Sequence, residues 1–181
     1  MGDLEQTTVE EVQRTGLPPR TILQITACCF SFVSLLLLIV ALVSDYWTVD
    51  SEGTRTGLWR ICHAEKCMSY GMEAHAHEHA ARAFLSLGMI FGTTSFFCLC
   101  ASFFYTHATS VSIQRFSSKA SFLAGVCAML AMSKFTIMYK RQFSHLESWF
   151  GWSHSTGWAS FPLFLITAGL AYKTISSPTE T

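Results

Sequence analysis

Hydrophobic residues in this chain gather into four long blocks separated by polar stretches. The blocks run over residues 22–44, 81–105, 120–139 and 155–172. The first is broken only by Gln24 and by small or hydroxyl side chains. About twenty residues of helix, rising 1.5 Å each, cross a bilayer core of roughly 30 Å. Each block therefore predicts a membrane span. The block at Ile22–Ser44 is too long for the apolar part of a cleaved signal, and an acidic segment precedes it where a signal has a basic one. It predicts a retained span.

The stretches outside the blocks set the domain plan. Residues 1–20 show no apolar periodicity, carry Glu5, Glu10, Glu11 and Arg14, and end in Pro18-Pro19. They predict a flexible tail. The start Met1-Gly2 is compatible with myristoylation, but Gln6 stands where that motif requires Ser or Thr. Residues 21–173 form one four-span domain, and 174–181 form a second short tail. Four spans place both tails on one side with the connection His107–Lys119. Asp45–Ala80 and Lys140–His154 lie on the other side.

Lysine and arginine do not orient this plan. The tail side has Arg14, Arg20, Arg115, Lys119 and Lys173; the loop side has Arg55, Arg60, Lys66, Arg82, Lys140 and Arg141. The positive-inside rule needs a clear excess. The cysteines are more informative. Cys62 and Cys67 share the polar loop, and the other five of the seven sit in apolar blocks. A bridge between Cys62 and Cys67 requires an oxidising compartment, which puts the long loop outside and both termini in the cytoplasm. Metal ligation is the alternative use of such a pair, but the loops hold no second cysteine pair. The loop alternates weakly through Trp47, Val49, Leu58 and Ile61, with turn residues at Ser51-Glu52-Gly53. That pattern predicts short strands. So small a sheet buries little by itself, and a bridge with two large aromatics makes up for the missing core.

Composition agrees with a membrane protein. Half the residues are hydrophobic, 13% are charged, and the formal net charge is zero. No basic cluster suited to phosphate tracking is present, so a nucleic-acid partner is not expected. The chain contains no asparagine and therefore no N-glycosylation acceptor. No nucleophile motif or glycine-rich phosphate loop appears, so neither an enzyme nor a cofactor is expected.

Trp47, then Gly57-Leu58-Trp59, then Cys62 and Cys67, resembles the W–GLW–C–C pattern of the claudin superfamily. Arg82, at the start of the second block, matches a position where that family also places arginine. Trp152-Ser153 followed by Gly157-Trp158 resembles the start of the fourth span in its lens-fibre members. The first outer loop is shorter than in true claudins. This favours the branch of peripheral myelin, epithelial membrane and lens-fibre proteins, with the claudin-domain-containing and natural killer granule proteins. The resemblance implies a mainly α membrane fold: a left-handed four-helix transmembrane bundle carrying a small, disulfide-stapled, extracellular antiparallel β-sheet. It also implies a structural or interaction role in cell contact or membrane organisation, with other membrane proteins or a second copy as partners, at the plasma membrane or a secretory vesicle or granule membrane. An auxiliary subunit acting on the trafficking or gating of a channel or receptor is the alternative, and a paracellular pore or barrier a third. True claudins end in a hydrophobic residue that docks scaffolds, whereas this chain ends Pro178-Thr179-Glu180-Thr181. Scaffold docking of that kind is therefore not expected.

Several other residues invite a sharper reading beside a plain one. His75, His77 and His79 stand just before the second block, and on a helix His75 and His79 share a face suited to zinc or copper. The plain reading is a polar, pH-responsive turn. Gly88 and Gly92, continued by Ser95, form a small-residue stripe that serves either dimerisation or packing within the bundle; the second is favoured, because each span must already pack there. Lys134 lies within the third block, where it either snorkels outward or pairs with Asp45. Cys28, Cys29, Cys98 and Cys100 are candidates for palmitoylation or plain buried thiols. Pro162 predicts a bend in the fourth span.

Overall fold

The computed structural model of the protein describes residues 18–63, 66–69, 76–104, 107–142 and 148–176. In chain order these form α1 (Pro19–Val43), β1 (Thr48–Asp50), β2 (Arg55–Thr56), β3 (Arg60–His63), β4 (Lys66–Ser69), α2 (Ala76–Ala101), α3 (His107–Gln142), β5 (Ser148–Phe150) and α4 (Trp152–Ser176). The helices make a bundle in which α3 packs along α2 and α4, and α1 packs along α4 and α2. The five strands form an antiparallel sheet of order β4-β3-β2-β1-β5 at one end of the bundle.

Proline opens α1 at its first position, where the missing N–H costs nothing. The small residues Ala124, Ala128, Ala131, Ala168 and Ala171 are buried on α3 and α4. They allow close helix contact where lipid offers no hydrophobic drive for association. Pro19–Val43, His79–Ala101 and Thr109–Arg141 are long and apolar enough to cross a membrane. By this measure α4 is less apolar than the other three. Its polar groups turn inward: Ser160, Thr167 and Thr174 are buried, and their hydroxyls donate to Gly157 O, Leu163 O and Leu170 O. These back-bonds satisfy the hydroxyls within their own helix. Pro162 lies within α4, which runs unbroken past it.

Two parts of the plan read from sequence need correction. The stretch His107–Lys119, expected as a connection, is helical and forms the first third of α3. At 1.5 Å per residue α3 is about 54 Å long, well beyond a bilayer core, so it projects from the apolar layer. The connection between α2 and α3 shrinks accordingly. The second outer loop is also more than a link, because it supplies β5. Thr48, Val49 and Asp50 of β1 pair with Phe150, Trp149 and Ser148 of β5.

The hairpins follow turn chemistry. Gly53 takes φ +76°, a left-handed conformation that suits glycine. Its N–H donates to Asp50 O at 2.9 Å, and Asp50 N–H donates to Thr54 O at 3.0 Å. Cys62 and Cys67 face each other across β3 and β4 and are joined by a disulfide.

Candidate functional site: the seat of the sheet on the bundle

The Gly-Leu-Trp triplet is a turn. Gly57 N–H donates to Arg60 O at 2.8 Å, closing the hairpin between β2 and β3. Leu58 and Trp59 are its central residues and meet the top of the bundle. Leu58 is fully buried and joins the main core with Leu85, Met132 and Phe135. Gly57 is required by a close approach: a Cβ there would lie 2.6 Å from Asp45 Cα.

Both tryptophans of the motif donate to the end of α1. The last four carbonyls of a helix have no partner inside it. In α1, Ser44 N–H donates to Val40 O at 3.0 Å. The Trp47 indole N–H donates to Ala41 O at 2.7 Å, and the Trp59 indole N–H donates to Leu42 O at 2.9 Å. Trp47 is fully buried, with its ring edge-on to Phe135 of α3 at 4.7 Å between centroids. The first residue of the motif is thus a plug in the bundle and a helix cap at once.

Arg82 of α2 clamps the turn from the side. It is buried, its Nε donates to Leu58 O at 2.8 Å, and its guanidinium lies 4.8 Å from the Trp59 ring centroid. A planar guanidinium can make a hydrogen bond and a cation–π contact together, which an ammonium does less well. A surface ion pair, Arg60 to Asp45 at 3.0 Å, braces the same hairpin. This overturns the pairing of Asp45 with Lys134. Asp45 sits beside the Gly57 turn, within reach of Arg60, whereas Lys134 is exposed along α3 near Ile137, Met138 and Arg141. That placement suits snorkelling.

The second half of the seat comes from the β5–α4 corner. Gly151 N–H donates to Trp47 O at 2.9 Å, and Ser153 N–H donates to Tyr46 O at 3.3 Å. A Cβ on Gly151 would lie 2.1 Å from Tyr46 O, so no other residue fits without moving the backbone that leads into β1. Trp152 is exposed and its ring packs 5.6 Å from that of Tyr46. Gly157 faces the Met132 thioether, and Trp158 is half-buried against the core and His154.

His154 was not singled out from sequence. It is buried, stacks on Phe150 at 4.2 Å, and lies 2.9 Å through Nε2 from Thr136 Oγ1. The threonine hydroxyl already donates to Met132 O at 2.7 Å. With its one proton committed, the hydroxyl accepts from His154, so Nε2 carries the proton. The partners of His154 lie on α3 and β5, so no local sequence signal marks it.

The remaining candidates are placed as follows. Gly88 and Gly92 face the bundle interior: a Cβ on Gly88 would lie 3.5 Å from Ala124 O and one on Gly92 2.9 Å from Phe164. Ser95 continues that face into a hydroxyl cluster with Ser117 at 2.8 Å and Ser121 at 2.6 Å. Cys98 and Cys100 lie in the last turn of α2, Cys28 turns toward Cys100, and Cys29 is exposed. His75 lies outside the described residues, so the His75–His79 pair is not described; His79 is exposed in the first turn of α2. Among the described residues no group of three histidines, cysteines or carboxylates is placed to hold a metal ion.

The sequence that builds this bundle and its sheet matches a known family. The model of the PMP-22/EMP/MP20/Claudin family matches residues 21–172. The chain belongs to that family. Protein NKG7 of Mus musculus is 27% identical over 138 residues, covering 74% of this chain and 79% of its own length. The lens fiber membrane intrinsic protein of Bos taurus is 28% identical over 150 residues, covering 78% of this chain and 84% of its own. The family's W–GLW–C–C pattern thus acquires a physical meaning in this member. Its tryptophans cap α1, its glycine makes room for Asp45, and its cysteines pin β3 to β4.

Proposed function

We propose that this claudin-family protein is a non-enzymatic contact protein that presents its sheet on the outer face of the cell membrane or the lumenal face of a granule membrane, with both termini cytoplasmic. It acts by surface complementarity with other membrane proteins or with a second copy. The observation that carries this reading is the bracing of the sheet. Trp47, Trp59 and Arg82 tie it to three helices, so its outer surface is held in a fixed pose ready for docking, and preorganisation lowers the ordering cost of association. The face it offers includes the Ser51–Gly53 hairpin tip and β4, where Met68 is 72% exposed. An isolated methionine of that exposure on an edge strand is an adaptable apolar contact. The bridge at Cys62–Cys67 supports the outward placement, since disulfides persist in oxidising compartments.

The test is a mixed culture of cells expressing the protein with two different fluorescent tags. Contact function predicts enrichment where differently labelled cells touch, and its loss on Met68→Glu with surface delivery intact. A uniform distribution, with stable co-isolation of one large membrane protein, overturns adhesion in favour of an auxiliary subunit.

A further inference from the structure

At the end of the bundle away from the sheet, α3 and α4 leave a groove with two chemically different halves. The half nearer the chain termini has a volume of about 420 Å³ and is lined by Arg115, Lys119, Tyr172 and Ser176 among others. The deeper half, about 430 Å³, shares Ser118 and Lys119 with the first and continues along Phe122, Leu123 and Ala168. Between the halves Ser118 Oγ donates to Ala168 O at 2.8 Å, fastening α3 to α4 and fixing the width of the groove.

Charge distinguishes this groove from an ordinary lipid-facing furrow. Arg115 and Lys119 are exposed and stand four residues apart on one helix face, a spacing at which like charges repel. The acidic residues of the described segments, Asp45, Asp50, Glu52 and Glu78 in the first turn of α2, all belong to the sheet end of the chain's plan. Among the described residues neither base therefore has a carboxylate beside it. From Arg115 to Phe122 is about 10 Å of helix at 1.5 Å per residue, roughly the step from a headgroup phosphate to the upper acyl chain. Phe122 is 54% exposed and Leu123 44% exposed, so the lower half is open to lipid along its length.

We propose that this groove is a binding site for an anionic phospholipid, with its phosphate on Arg115 and Lys119 and an acyl chain along Phe122, Leu123 and Ala168. Basic pockets between membrane helices are known to take anionic headgroups. The apolar half selects the lipid over a free phosphate. The lipid's charge relieves the repulsion between the two bases and ties the free end of α3 to α4.

The full chain, purified in a neutral detergent, tests this. Phosphatidylglycerol is titrated against phosphatidylcholine of the same acyl chains while melting and native mass spectra are recorded. One retained phosphatidylglycerol and a rise in Tm that phosphatidylcholine does not give are expected. Arg115→Gln with Lys119→Gln weakens retention roughly thirty-fold, the loss of two basic contacts. Lys140→Gln with Arg141→Gln, at the sheet end, leaves it unchanged. Equal retention by the Arg115/Lys119 variant, equal loss in the sheet-end variant, or the same Tm rise with inorganic phosphate overturns the proposal. The assay is blind to which side the sheet faces, so failure of the proposed orientation and failure of this site would show separately.

Discussion

The two ends of the bundle are held together by different chemistry. At the sheet end the core is large and aromatic: Trp47 and Phe135 are buried there with Leu58, Leu85 and Met132, and the same cluster reaches down to Phe164 at mid-bundle. At the opposite end the apolar core shrinks to Ala27, Leu99 and Ala171, with Cys28 and Leu170 at its edge. Polar groups take over. Gln24 donates to Ser102, Ser110 Oγ donates to Ser102 O at 3.1 Å, and Ser95, Ser117 and Ser121 share hydroxyl contacts. The sheet end gains from area and from a cap that each large side chain can fill in only one way. The opposite end gains from hydrogen bonds whose alternative in lipid is no partner at all. Specificity of pose therefore belongs to the first, and adaptability to the second.

Trp47→Ala should break this contrast hardest. It removes a fully buried ring and the indole N–H that caps Ala41 O. Loss of a core tryptophan costs about 3–5 kcal/mol, so a large drop in thermal stability in detergent and poor delivery to the surface are expected. Trp47→Phe should recover most of the melting temperature, because the ring returns and only the cap is missing. Equal damage from both would show that the hydrogen bond, not the packing, dominates.

Gln114→Leu sharpens the other side. Gln114 is fully buried, its amide N–H makes a long 3.4 Å contact to Ser110, and its Oε1 has no partner among the described residues. Replacing a poorly satisfied buried polar group by an apolar one of similar size is close to neutral, within about 1 kcal/mol. Gln24→Leu, by contrast, strips a donor from Ser102 and should cost about 1–2 kcal/mol. Melting curves of the two variants side by side decide whether the polar end is a cooperative network or a set of separate bonds.

The smallest effect concerns the rim of the seat. A double-mutant cycle on Asp45→Asn and Arg60→Gln should return a coupling of about 0.2–1 kcal/mol, the range for half-exposed ion pairs. The same cycle on Asp45→Asn and Lys134→Met should return none. Coupling to Lys134 would reinstate the pair that the observed position of Asp45 rejects.

The same contrast explains what the sequence disclosed. The spans were legible because their apolar residues are contiguous, and the W–GLW–C–C residues because they are large or sulfur-bearing in a polar loop. The first third of α3 was illegible because its buried stripe is polar. Ser110, Gln114, Ser117 and Ser121 recur at helical spacing, but a hydrophobic pattern cannot register them. β5 was missed because three residues are too few to show a period of two. Arg82 was visible as a residue, yet its contact with Leu58 O requires knowing that Gly57–Arg60 is a turn. Gly151 owes its role to Tyr46 and Trp47 and His154 to Thr136, all distant in the chain, and nothing local marks either.

The pairing of β1 with β5 also sets a timetable. Thr48 finds its partner at Phe150. At roughly 5–20 residues per second of synthesis, the hundred or so residues between them take about 5–20 s to be made. For that interval β1 is an open edge in a chain that begins with only its first membrane helix complete and adds the second and third while it waits. The nascent protein thus carries a built-in waiting period that ends when β5, near the start of its last fifth, arrives to close the sheet.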